Sequence, residues 1–440
     1  MKYARLPTVY LGLLLFIFGF IVLHAPFTVI MTTLLPASSE LAKSWKELLM
    51  VVAGVVAVVL LIKHRAWPSL MRDKLFWVII GYVTLHIMTT LLLPQPLTAT
   101  LAGLAIDLRY ITFFTLVYIA VLLYPVIRPL FVRVGAIGAA IVAGFATLQL
   151  FLPKDILTHI GYGKDTIAPY MTVDRNHDYI RVNSTMRGPN PLGAYVAMVL
   201  ALALSFAALH YRRLASRISH VAMGVFVLCL LIALWISYSR SALLAAGFAV
   251  IAIVLYIWGR KLKPVWWIVG GCLMIAVAVG AVTIGKDNSF ISNVVLHENP
   301  GEGNDSGSND GHVESLQHGV QAMISQPFGA GVGSTGTASY HGDTPIIIEN
   351  QYLFIAHEIG WLGIVLFLAI FIEIMRRLWL RRNDWLALGV FASGIGLGLI
   401  GILQPVWVDD TVSLVWWGLA AIAIASKEVY VRSTTKQKAT

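Results

Sequence analysis

The chain has 440 residues, of which 58% are hydrophobic and 12% charged, and its mean hydropathy is +0.78. A soluble globular chain carries about twice that charged fraction, so lipid is the main solvent here and soluble-domain arithmetic does not apply. The net charge of +10 invites a nucleic-acid reading, but the placement of the cations argues against it.

A hydrocarbon core of about 30 Å needs about 20 apolar residues per helix. In chain order, such runs predict spans at 8–34, 45–63, 75–93, 99–124, 133–152, 189–208, 221–238, 241–259, 265–285, 351–375, 385–404 and 411–426. The fold class expected is therefore an all-α polytopic membrane protein with about twelve transmembrane helices, residues 1–440 forming one transmembrane domain. The first apolar segment, Thr8 to Leu35, is too long for a signal peptide and has no small-x-small site after its first stretch. It reads as a retained helix broken near Pro26. Cys229 and Cys272 both fall in apolar runs and carry no disulfide or metal pattern.

With the N-terminus inside, the inside segments are the N-terminus, 63–74, 125–133, 209–220, 259–264, 376–384 and the tail from Lys427. They hold 22 of the 32 Lys and Arg residues against three acids, Asp73, Asp384 and Glu428. Seven segments agree, so the basic charge reads as a topological signal with both termini in the cytoplasm.

Two long connections fall outside. The first, 153–188, runs from Pro153 to Gly188. The second, 286–350, runs from Lys286 to Asn350 between spans 9 and 10, with one basic residue against eight acids. It contains "HENPGEGNDSGSNDGH" and then "VESLQHGVQAMI", whose pattern predicts a short amphipathic helix at the membrane surface.

Ionisable groups within or beside membrane helices are costly and mark function. Asp107 and Arg109 lie in the fourth span, His357 and Glu358 in the tenth, Arg187 in "NSTMRGPNPLGAY", and Arg240 in the tight turn of "WISYSRSALLAA". Arg109, Arg187 and Arg240 all fall outside, where topology does not call for cations. Guanidinium groups there suit phosphate oxygens, and a helix start at "RGPNPLG", with Asn190 as cap and Pro191 in the first turn, would add backbone N–H donors. A lone arginine at a helix end also snorkels to headgroups, and Asp107 and Arg109, two residues apart, suit structural pairs with other helices.

Gly331 to Gly336 spells G-x-G-x-x-G, but no βαβ unit surrounds it, so its glycines read as close-packing positions. Acid–base candidates nearby are His341, Asp343, Glu349 and Glu358; a carboxylate beside a bilayer is expected to be pushed up. His297, His312 and His318 read as surface or helix-face residues.

These stretches resemble the O-antigen ligase and polymerase superfamily of bacterial membrane glycosyltransferases. The matching marks are Arg187 with "NPLGAY", "SRSA" at Ser239 to Ala242, a large loop, "P-x-G-x-G-x-G" at Pro327 to Gly333, and "N-x-Y-L-x-x-x-x-E-x-G-x-x-G" at Asn350 to Gly363. The resemblance, covering roughly 180 to 375, implies an inverting transfer at the periplasmic face of the inner membrane. The donor would be a glycan on undecaprenyl pyrophosphate, and the acceptor a hydroxyl on lipid A-core or a similar lipid-linked glycan. It implies no nucleotide, metal or other cofactor and no nucleic acid. Arg187 and Arg240, with Arg109, would bind the pyrophosphate; Asn190, Asn350, Tyr352, Glu358 and Asp107 would support the site.

Ligases similar to this carry a histidine beside the "N-x-Y-L" asparagine, where this chain has Glu349. An acid there looks more like some polysaccharide polymerases. The base is then Glu349 or His341, and ligase and polymerase both stay open, chain length favouring the ligase. Twelve spans also suit a secondary transporter or lipid flippase, but no half-length repeat is visible and the large loop breaks six-plus-six symmetry.

Overall fold

The computed structural model describes residues 5–173, 176–210, 217–259, 308–342 and 345–425. The expected span at 265–285, His297, Asp343 and the tail from Lys427 lie outside the described residues.

The chain is an all-α polytopic membrane protein. In order, its helices are α1 (Arg5–Phe20), α2 (His24–Leu34), α3 (Ser39–Lys63), the short α4 (Trp67–Met71), α5 (Lys74–Leu92), α6 (Leu97–Leu123) and α7 (Arg128–Leu148). Then come α8 (Pro189–His210), α9 (Arg217–Ile236), α10 (Arg240–Trp258), α11 (Ser308–Ser325), α12 (Gln351–Leu380), α13 (Trp385–Leu403) and α14 (Asp410–Ile424). Among the described residues ten helical segments are long and apolar enough to cross a membrane, α1 and α2 counting as one, and α14 is a shorter apolar helix. They answer to eleven of the twelve expected spans.

The first span breaks where expected. Pro26 lacks an N–H and its ring crowds the carbonyl of Val22, so α1 passes through a 3-10 turn, Ile21–Leu23, into α2. The helix expected in the large loop is α11. Two features were not expected: the short α4 in the 63–74 connection and, in the 153–188 connection, a hairpin in which β1 (Met171–Val173) pairs antiparallel with β2 (Asn176–Arg181), Met171 opposite Arg181.

At the basic end, the few acids have defined work. Asp73 and Asp384 cap α5 and α13 by accepting from Leu75 N and Leu386 N. Asp73 also takes a bidentate pair from Arg377 (2.6 and 2.5 Å), and Asp384 pairs with Arg128.

The middle of the bundle is α14. Its 15 residues reach about 22 Å, short of a bilayer core of about 30 Å. The deficit is harmless because protein surrounds it, and Trp416 and Trp417 are fully buried. Trp407, Trp416 and Trp417 pack with ring centroids 5.1–5.7 Å apart, and Phe371 lies 5.5 Å from Trp416.

Helix α12 is kinked, with Ile359 and Gly360 (φ +74°) outside helical geometry. The kink frees two carbonyls and an amide, and the glycine run takes them up: Ala330 N and Gly331 N donate to His357 O and Glu358 O (2.6 and 3.1 Å). Trp361 N donates to Pro327 O (3.0 Å). The Glu358 carboxylate accepts from Gly333 N (3.1 Å). Gly329, Gly331, Gly333 and Gly336 all have positive φ, so the reading of the G-x-G-x-x-G string as backbone packing holds.

At Gly333 (φ +86°) a Cβ would run into the Ala99 carbonyl. Gly333→Ala is expected to cost at least ~1–3 kcal/mol and to lower thermal stability in detergent. Gly247→Ala, a helical position with open space around it, should be neutral or slightly stabilising in the same measurement.

Candidate active site

The turn bearing Arg187 and the turn bearing Arg240 are held together by a third arginine. Helix α8 starts at Pro189, two residues earlier than a cap at Asn190 implies, so Asn190 lies within its first turn. Its Oδ1 accepts from Arg181 Nη2 (2.5 Å), while Arg181 Nε donates to Ser237 O (2.9 Å). Arg181 thus bridges a point three residues after Arg187 to a point three residues before Arg240, the first residue of α10. The helix starts also touch directly: a Cβ on Gly193 would lie 2.7 Å from Ala242 Cβ and 2.9 Å from Ser239 Cβ.

Arg187 Nε donates to Asp409 Oδ2 (2.9 Å), and the side chain is 46% exposed. It stands between two cavities. One, of about 280 Å³, is lined by Arg181, Asn190, Gln404 and Asp409. The other, of about 340 Å³, is lined by His24, Lys46, Arg109, Asp410 and His341. Arg187 and Arg109 therefore share a wall with one of the two base candidates.

Arg109 is more deeply committed. It is buried, pairs with Asp410 and donates to Val408 O, with Glu47 at 3.7 Å. Asp410 also meets His24 (2.9 Å) and Lys46 (3.2 Å). The adjacent acids at the head of α14 thus each take one of these arginines, Asp409 taking Arg187 and Asp410 taking Arg109. Asp409 also caps the helix through Val412 N. Sequence reading missed Asp409, Asp410, His24 and Lys46, although acids and bases bordering an apolar span were the signal used for Asp107 and Arg109.

The other base candidate has a partner. Glu349 Oε2 lies 2.5 Å from His312 Nδ1, and the pair lines a cavity of about 560 Å³ with Ser315, His318 and Ile347. The hydrogen bond from His312 holds the Glu349 carboxyl below its usual range despite partial burial. This is opposite to the upward shift expected beside a bilayer. The same bond raises His312, against desolvation and the positive charge of Arg240. His312, read from sequence as a surface residue, is instead joined to Glu349. Among the described residues His318 meets Glu314, at 3.8 Å, and is exposed. His341 and Glu349 line different cavities.

The supporting residues are spent on backbone. Asn350 Oδ1 caps α12 by accepting from Tyr352 N and Leu353 N, and its Nδ2 donates to Ile402 O (2.7 Å). The Tyr352 hydroxyl donates to Gly398 O (2.7 Å). Asp107 lies 3.8 Å from His86 on α5, and Arg109 pairs with Asp410 on α14, so both residues face other helices. Glu358 ties down Gly333. His357 is buried beside Ser334 and Gln95 in a cavity of about 190 Å³.

Residues 225–368, about a third of the chain, match a family described as O-Antigen ligase. The match runs from α9 into α12 and supports the O-antigen ligase superfamily that the sequence resembles. No curated protein matches the chain.

Asp410→Ala leaves Arg109 and Lys46 in a buried site without their shared carboxylate. Breaking a buried pair of this kind costs about 3–5 kcal/mol, so the variant is expected to show a markedly lower melting temperature in detergent. Its loss of activity would then follow loss of folded protein.

Proposed function

With the O-antigen ligase match as premise, we propose that this protein transfers a glycan from undecaprenyl pyrophosphate to a hydroxyl of a second lipid-linked glycan. The reaction takes place at the periplasmic face of the bacterial inner membrane, with both termini in the cytoplasm. The observation that carries this reading is the Arg181 bridge, which ties the turn of Arg187 to the turn of Arg240. Two guanidinium-bearing helix starts side by side suit a diphosphate, whose charge grows as the glycosyl bond breaks.

In the reaction, the acceptor oxygen attacks the anomeric carbon as the bond to the pyrophosphate oxygen breaks. The electron pair leaves with the lipid pyrophosphate and meets Arg187 and Arg240. The hydroxyl proton passes to Glu349. Attack from the face opposite the leaving group inverts the anomeric centre. Holding both lipids in one site supplies the proximity term. Arg109, fixed on Asp410, forms part of the cavity wall beside Arg187 and adds positive potential there. Glu349 is taken as base over His341, which lines the Arg187 cavity, because His312 Nδ1, 2.5 Å from Oε2, orients its carboxylate.

An acid at position 349, where ligases similar to this carry histidine, supports polymerase as a second reading. The two differ in acceptor: lipid A-core for a ligase, another undecaprenyl-linked repeat for a polymerase. Supplying each acceptor in turn separates them.

Arg187→Ala and Arg240→Ala are expected to insert normally and each lose about 10²–10³-fold in transfer, as for removal of one charge-stabilising donor. Full activity in both would overturn the assignment. Glu349→Gln should lower turnover by about 10²–10⁴-fold, while His341→Ala should have a small effect; the reverse order would make His341 the base. An impermeant thiol reagent added to intact spheroplasts of a Cys229→Ala/Cys272→Ala background should label a cysteine placed at Lys164 but not one at Arg65. The opposite pattern would invert the topology.

A further inference from the structure

Helix α11 meets the Glu349 segment along one face. His312, Ser315, Gly319 and Met323 are spaced three, four and four residues apart, so they share one side of the helix. All four are anchored. His312 Nδ1 lies 2.5 Å from Glu349 Oε2. Ser315 Oγ accepts from Glu349 N (2.8 Å) and donates to Ile347 O (3.4 Å). Gly319 packs closely on the same segment: a Cβ there would lie 3.0 Å from Leu353 Cδ1 and 3.2 Å from Ile348 Cγ2. Met323 O accepts from Trp361 Nε1 (2.7 Å). These contacts fall on both sides of Asn350, the cap of α12, so α11 grips the backbone that carries Glu349 before and after the residue itself.

We infer that α11 is a strap whose purpose is to present His312 to Glu349, and that His312 is a positioning residue for the proton-accepting carboxylate. This rests on the transfer reading above, in which Glu349 takes the acceptor proton. His312 donates its Nδ1–H to Oε2, which fixes the carboxylate plane and leaves Oε1 to the acceptor hydroxyl. The ring stays a donor throughout: the proton moves from the acceptor to Oε1 and then to solvent, and the imidazole gives nothing up. The arrangement divides the work of one histidine base between two residues remote in sequence. A short carboxylate accepts the proton, and an imidazole from the preceding helix sets its direction.

The charged and titratable groups around His312 among the described residues are Glu349 from the segment before α12, Arg240 from α10, and Glu314 and His318 on α11 itself. Glu349 favours the protonated ring and Arg240 opposes it. Seen from Glu349, losing His312 removes the hydrogen bond that keeps its carboxyl low, so protonation of the base, and loss of turnover, should begin at a higher pH.

The test uses the full chain in proteoliposomes. The donor is lipid-linked glycan extracted from cells lacking the protein, and the acceptor is the lipid fraction of the same cells. His312→Ala is expected to lower kcat by about tenfold to a hundredfold, the worth of one hydrogen bond to a charged group. KM should hardly change, and the acid limb of the pH profile should move upward. His312→Asn, whose side-chain N–H stands in place of Nδ1–H, should recover most of kcat and return the limb toward wild type. Unchanged kcat and an unmoved limb in His312→Ala would overturn the role. So would equal losses in Ala and Asn with the limb unmoved, which is what a purely structural contact gives. If the Ala variant does not accumulate, the Asn variant decides alone: near-wild-type kcat with the limb in place supports the role, and a deep loss with the limb in place removes it. Glu349→Gln keeps the two ideas apart. A fully active Glu349→Gln sinks the proton-acceptor reading, whereas an inactive Glu349→Gln beside an unaffected His312→Ala sinks only the strap.

Discussion

A helix broken within the membrane leaves carbonyl and amide groups that lipid cannot satisfy. The kink of α12 at Ile359 and Gly360 does this, and the glycine run from Pro327 to Gly333 repairs it bond for bond. Much of the candidate site follows from that repair. Glycines are needed at 329, 331 and 333 because the run lies backbone to backbone against α12 and α6, in left-handed conformations that a side chain would strain. Once the run is pinned there, the segment that follows Gly333 is fixed in turn. It leaves Thr337 and His341 on the Arg187 cavity and Glu349 on the next one.

Charge is sorted in a matching way at the two ends of the bundle. At the basic end, acids are scarce, and Asp73 and Asp384 each cap a helix and receive an arginine. At the other end, Asp409 and Asp410 lie at the head of the buried α14 and are compensated by Arg187, Arg109, Lys46 and His24. A buried pair of this kind adds little net stability but strongly penalises any arrangement that separates its members. It therefore fixes where Arg187 and Arg109 stand. Arg187, half exposed, keeps part of its guanidinium accessible, and Arg109 does not. Three arginines alike in sequence thus fall into different roles: one held open beside two cavities, one locked in the core, and one at the mouth of a helix near a carboxylate–imidazole pair.

Several features were legible before any coordinates. The helices, their apolar lengths, the break at Pro26 and the tight turn before Arg240 follow from hydropathy and backbone chemistry. These are local, and a window of twenty residues contains their cause. The false dinucleotide motif was also recognisable, because a phosphate-binding glycine loop needs a strand and helix that this stretch lacks. The short hairpin of β1 and β2 was not legible, since three to six residues carry too little alternation to stand out in a loop. The pairing of Glu349 was missed because its partner lies 37 positions earlier in a polar helix with no sign of importance of its own.

By itself, the sequence determined that this chain lives in a membrane, roughly where its apolar helices lie, and which residue types sit where lipid disfavours them. It determined these because solvation and helix formation act on neighbours. Only the tertiary structure decided which charges meet. Arg181 joins two turns about 55 positions apart, Asp409 and Asp410 each choose an arginine from another helix, and α11 brings His312 to Glu349. Hydrogen bonds need donor and acceptor about 3 Å apart, and ion pairs weaken with separation, so these choices depend on distances in space that spacing along the chain does not encode.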